Sequence, residues 1–298
     1  MKQIRNILAC LDLTYIDPAL IGYSGFFANI ASIEKAYFLH VIQEYNLPGK
    51  GGHDLPGTEE IYSRIYNSMK EMVDAHFGEN PPVGIETRVA KEDASAAVID
   101  FISETGIDLV LIARKTGEYR ENRYGHNIAS GADCDIMIVP EKPVHRISRI
   151  LCAIDGSSDA DNAFEYALDL SEKTGAVLVS YFLYDTTQTY FPATTLSSAS
   201  MHENRMHKQY ARFLKRFDRS PDDIACHFRE VGTSDSQAHT VYETALDEDA
   251  DLIVAGAAGD IATPTTLLGN IATNFNNMEI QKPLLIMKNE QTKRFFQL

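Results

Sequence analysis

The chain repeats itself. Residues 7–12 read Ile-Leu-Ala-Cys-Leu-Asp and residues 150–155 read Ile-Leu-Cys-Ala-Ile-Asp, an offset of 143. The same offset pairs Asp108-Leu109-Val110-Leu111 with Asp251-Leu252-Ile253-Val254, and Asn127-Ile128-Ala129-Ser130 with Asn270-Ile271-Ala272-Thr273. Three separated matches at one spacing mark a duplication, and a duplication has to fold as two copies of one unit. With 298 residues, each copy is long enough to bury its own core. The division is expected at 1–143 and 144–298, with Pro140 and Pro143 stopping the last strand of the first copy.

Within each copy, short apolar runs alternate with helical patterns. Ile7–Leu11 and Ile150–Ile154 each end at an Asp, after which Asp17-Pro18 and Ser158-Asp159 supply helix starts. Helices are predicted over Ala19–Ala31 and Ala160–Thr174, Glu59–Phe77 and Ala199–Phe217, Ala94–Thr105 and Gln237–Asp249. The further strands are Ala36–Ile42 and Ala176–Leu183, Ile85–Ala90 and Ile224–Val231, Leu109–Ala113 and Leu252–Ala255, and Ile136–Val139 and Leu284–Met287. Apolar strands alternating with helices indicate a mostly parallel sheet covered on both faces. The expected fold class is α/β: two tandem doubly wound, Rossmann-like domains of five strands each. Ligands of such a fold gather beyond the carboxyl ends of the strands.

Composition removes several functions. A net charge of −15 repels phosphate backbones and anionic lipid, so neither nucleic acid nor a membrane surface is expected as partner. A small anion remains acceptable, because local backbone amides can hold it. Cys10, Cys134, Cys152 and Cys226 contain no Cys-x-x-Cys pair and read as small core hydrophobes of a cytoplasmic protein.

The pattern that could carry chemistry follows strand four of the second copy. Gly256-Ala257-Ala258-Gly259 is separated by nine residues from Gly269-Asn270. Gly256 and Gly259 let the backbone turn and approach a ligand without a side chain in the way. Gly269-Asn270 opens a helix whose unpaired amides suit phosphate oxygens, and Asn270 is a good N-cap. Asp155 ends strand one at the same edge, where its carboxylate could accept from an adenine amino group, lie near a metal, or simply start the turn.

Gly-x2-Gly-x9-Gly with an Asp closing strand one resembles the ATP-binding type of universal stress protein, and the element order matches that family twice. The resemblance implies an adenine nucleotide alpha hydrolase-like fold. It also implies nucleotide-binding roles for Ala153, Ile154, Asp155, Tyr181, Gly256, Gly259, Gly269, Asn270, Ile271 and Ala272. It is looser at Tyr181, where the family usually has Val, and at Asn270, where Ser or Thr normally follows the third glycine. The first copy departs further, since Ala113, Thr116 and His126 stand at the three glycine positions, although Asp12 is kept. The expectation is a stress-response or regulatory protein binding one ATP, with Mg2+ accompanying it, in the second copy, without dedicated catalysis. The alternatives are a nucleotide-hydrolysing or adenylating enzyme and an interaction module that has lost its ligand. The resemblance further implies that the two copies pair within one chain through their fifth strands, with a homodimer of whole chains as an additional state.

Other polar residues have plainer readings. Ser157 and Ser158 suit helix capping better than nucleophilic attack, and His126 is a loop residue. His202 and His207 are five apart, which does not place them on one helix face as a spacing of four would.

Overall fold

The computed structural model describes residues 3–42, 58–78, 83–91, 94–115, 128, 131–184, 197–230, 237–257 and 280–289. The chain divides into two units, centred on residues 2–146 and 147–278. The first contains β1 (Asn6–Leu11), α1 (Asp17–Ala31), β2 (Lys35–Ile42), α2 (Thr58–His76), β3 (Gly84–Lys91), α3 (Ala94–Thr105), β4 (Leu109–Arg114) and β5 (Asp135–Pro140). Its strands run in the order β3-β2-β1-β4-β5, each pair parallel. β1 lies in the middle, as its unbroken apolar run from Ile7 to Leu11 requires, and Ile7, Leu8 and Ala9 are all but fully buried.

The second unit repeats this plan with β6 (Arg149–Ile154), α4 (Ser158–Thr174), β7 (Val177–Tyr184), α5 (Ser197–Lys215), β8 (Ala225–Glu230), α6 (Gln237–Asp247), β9 (Leu252–Gly256) and β10 (Leu284–Met287). The order is β8-β7-β6-β9-β10, with β6 parallel to both β7 and β9, and β7 parallel to β8. Every described element falls within two residues of its sequence expectation, while Val231 and the helix expected to open at Gly269-Asn270 lie outside the described residues.

The repeated Asp before strand four has a structural task that its sequence position did not reveal. In the first unit Asp108 Oδ2 accepts the backbone N–H groups of Arg5 and Asn6 at 2.8 and 2.9 Å. In the second, Asp251 Oδ2 accepts those of Ser148 and Arg149 at 2.7 and 3.2 Å. Each carboxylate therefore fixes the entry of the central strand to that of its neighbour, and charge-assisted bonds of this kind are the strong ones.

Helix α1 uses its glycines for close approach. A Cβ on Gly25 would lie 1.9 Å from the carbonyl oxygen of Phe77, just past α2, so only glycine lets the two helices meet there. The segment after Pro140 packs back onto α1, with the His145 ring stacked on Phe26 at 5.6 Å and an interplanar angle of 8°. In the second unit Phe164 of α4 packs on Phe213 of α5 at 5.0 Å, edge to face.

Cys10, Cys134 and Cys152 are buried, and burial pushes the Cys152 thiol well above its ordinary value and that of half-buried Cys226 up to about 12. Cys152 and Cys226 stay protonated at neutral pH and pack as small hydrophobes. Among the described residues no helix is long and apolar enough to cross a membrane.

Candidate functional site

The pairing of the central strands stops at the carboxyl edge of the second unit, the switch point beyond which folds of this kind gather ligands. The β6–β9 register ends at Ala153 opposite Ala255, so Ile154-Asp155 and Gly256-Ala257 part beyond it. On its other side β6 stays paired, with Ala153 opposite Tyr181 and Ile154 opposite Phe182. Ala257 turns away, its N–H donating to the Met287 carbonyl at the end of β10 at 2.8 Å. The first unit shows the same parting at the same offset, since the β1–β4 register ends at Cys10 opposite Ile112.

Asp155 is half-buried at this edge. Its Oδ1 accepts the Ser157 backbone N–H at 3.0 Å, which fixes the turn after β6. Burial raises the carboxyl above the ordinary range, against the pull of the Ser157 bond. Such a group gains from any further donor brought to it. Gly156 has φ +81°, a left-handed conformation that favours glycine. Ser157 then caps α4, its side chain accepting from Ala160 N–H at 3.1 Å, so capping is what this serine does.

The start of α4 is held from a second side. Asn289 N–H donates to Asp159 Oδ1 at 3.0 Å, and Asn289 Nδ2 donates to Ser158 Oγ at 2.5 Å. Asp159 itself is buried. Asn289 carried no sequence signal, because it has no counterpart at the 143-residue offset that would have drawn attention to it.

Gly256 has a task in the fold before any ligand is considered. A Cβ built there would lie 2.7 Å from Ala160 N, 2.7 Å from the Asp159 carbonyl carbon and 2.8 Å from Asp159 Cβ. The bare Cα lets β9 end against the first turn of α4. In the first unit the equivalent Ala113 carries a Cβ, and there α1 starts five residues after Asp12, whereas α4 starts three after Asp155.

Ala153 and Ile154 are fully buried strand residues, so only their backbone edges could face a ligand. Tyr181 is the fifth of the eight residues of β7, not its end, and its ring is buried. Burial raises its phenol, and the Thr244 side chain on α6 pulls the other way. The structure thus brings Asp155, Gly256, Ala153, Ile154 and the Tyr181 backbone to one edge of the sheet. Gly259, Gly269, Asn270, Ile271 and Ala272 lie outside the described residues, as do Thr116, His126 and the side chain of His202. His207 packs edge-on against Phe228 with ring centroids 4.6 Å apart.

Residues 146–275 match the Universal stress protein family. A protein of Staphylococcus saprophyticus named for the same family is 26% identical over 136 residues, covering 41% of this chain and 73% of that protein. Among solved structures, a universal stress protein from Archaeoglobus fulgidus superposes with a TM-score of 0.64 at 17% identity, covering 96% of this chain and 97% of its own. A functionally unknown protein from Pseudomonas aeruginosa does so with a TM-score of 0.66 at 14% identity, covering 98% and 95%. These two structures share the fold over nearly the whole length, whereas the family match rests on the second half. Residues 146–275 are thus similar to the universal stress protein family, and the chain builds the parallel α/β unit twice.

Proposed function

We propose that this is a regulatory or stress-response protein that binds one adenine nucleotide per chain, ATP with an accompanying Mg2+, in a domain spanning 144–298. The observation that carries the reading is the end of the β6–β9 register at the switch point of the sheet, with a half-buried, donor-seeking Asp155 after one strand and Gly256, which leads into the Gly-rich segment, at the end of the other. The donor set suits the ligand: a carboxylate for an exocyclic amino group, and glycines that expose backbone amides to phosphate oxygens. The domain 1–143 keeps the scaffold and lacks all three glycines, so it serves as a packing partner through its fifth strand, within the chain and in any homodimer. The role is read as binding without dedicated catalysis, in a cytoplasmic setting.

Calorimetry with Mg-ATP tests this directly, with one site per chain as the expected stoichiometry. Gly259→Val or Gly269→Val should lower affinity at least a hundredfold while far-UV circular dichroism is unchanged. Two equivalent sites, or unchanged affinity in those variants, would overturn the reading.

A further inference from the structure

The two carboxylates that close the central strands stand in different company. Asp155 is bonded by Ser157 of its own turn, and the two residues that follow Gly256 are alanines, which carry no side-chain donor. At the matching place after Ala113, the first unit has Arg114 and Lys115. Lys115 Nζ lies 3.0 Å from Asp12 Oδ2, and its side chain is about four-fifths buried at 21% exposure. The other oxygen of Asp12 accepts the Thr14 hydroxyl at 2.5 Å. Both oxygens of the carboxylate are therefore engaged by side chains of the chain itself.

The turn that presents Asp12 is braced from behind. Asp17, which is 1% exposed, accepts the backbone N–H groups of Leu13 at 2.8 Å and Asp12 at 3.4 Å. Leu13 is held at φ +59°, a conformation a leucine adopts only when its surroundings impose it. Burial pushes the Asp12 carboxyl up, but the Thr14 hydroxyl and the Lys115 ammonium together hold it below its ordinary value. Asp12 is thus a charged, compensated group, whereas Asp155 is raised and gains from a partner.

We propose that Lys115 is an autoinhibitory tenant of the first unit, its ammonium occupying the position at Asp12 where the second unit accepts a donor group of its ligand. This rests on the reading of Asp155 given above. It adds to the loss of the loop glycines a second, electrostatic bar. Any ligand of the first unit would have to displace Lys115 from Asp12, whose side chain is 52% exposed, so the contact is a partly exposed ion pair that adds a modest electrostatic cost. The arrangement also explains why Asp12 is retained in a unit without the glycine loop: it is the counter-ion of Lys115.

Two measurements on the full-length protein decide this. The first is independent of nucleotide: urea unfolding of wild type, Lys115→Met, Asp12→Asn and the double variant. The expected coupling is at least fivefold in the unfolding equilibrium constant, and effects that combine independently within twofold would overturn the proposal. The second compares Mg-ATP stoichiometry in Thr116→Gly/His126→Gly with that in Lys115→Ala/Thr116→Gly/His126→Gly. A second site is expected only when Lys115 is also removed. A second site with the glycines alone, or none in either variant, would overturn the tenancy. If wild type binds no nucleotide, the proposed function fails, and the coupling measurement alone judges the Lys115–Asp12 contact.

Discussion

Gly256→Ala is the smallest change that separates what the fold requires of this residue from what a ligand would require. The added methyl carbon would sit 2.7 Å from Ala160 N and from the Asp159 carbonyl carbon, both backbone atoms at the start of α4. Comfortable carbon contacts lie at about 3.5–4.0 Å, so roughly 0.8 Å must be found by moving the strand end or the helix. The helix start does not move cheaply, being capped by Ser157 and tied to Asn289 through Asp159 and Ser158. Overpacking of this kind costs about 1–3 kcal/mol, and partial loss of the cap adds up to about 1. The strand entropy that alanine saves over glycine returns about 0.5–1 kcal/mol. The net expectation is a loss of about 1–3 kcal/mol in the second unit. With a denaturant slope of about 1–3 kcal/mol/M, the urea midpoint of that unit should fall by about 1 M. The chain has no Trp, so unfolding is followed by circular dichroism and Tyr fluorescence. Ala113→Gly is the internal control: with no clash to relieve, it should cost less than about 1 kcal/mol. A Gly256→Ala midpoint within about 0.2 M of wild type would refute the packing argument.

Asp251→Ala removes two charge-assisted bonds to backbone amides and should cost about 3 kcal/mol by urea unfolding; Asp108→Ala should cost less, because the Arg5 end of that clamp is exposed. Burial, with the charge of Asp12 beside it, raises the Asp17 carboxyl to about 7. Asp17 therefore holds its proton more tightly folded than unfolded, and raising the pH towards and through about 7 removes stability: on the order of 1 kcal/mol should be lost between pH 6 and 8, and Asp17→Asn should flatten that profile. Asn270→Ala should weaken Mg-ATP binding less than Gly269→Val does, at a stability cost of about 1 kcal/mol for the cap; equal losses of affinity would contradict the proposed division of roles.

Most of the architecture was legible because the pattern was written twice. Ile7–Leu11 and Ile150–Ile154 announce buried central strands by unbroken apolar character, and Ser157 announces its cap by residue type. What stayed hidden depends on distance through space. Asp108 and Asp251 stood out as matches, yet their partners lie about a hundred positions earlier, beyond any local pattern. Gly256 read as a ligand-approach glycine, and only the position of α4 shows that the fold needs it bare. Lys115 carries no signal in the sequence, and only the pairing of β1 with β4 brings it to Asp12.

The aspartate clamps also set a schedule for synthesis. β1 can pair with β2 as soon as residue 42 is made, but its other edge waits for Asp108, 103 residues after Arg5. At about 5–20 residues per second, the ribosome leaves this central strand half-covered for roughly 3–13 s. The second copy renews the same interval between Ser148 and Asp251, again 103 residues. Each nascent unit is therefore at its most adhesive just before strand four emerges, and that interval, set by topology, is where chaperone capture should concentrate.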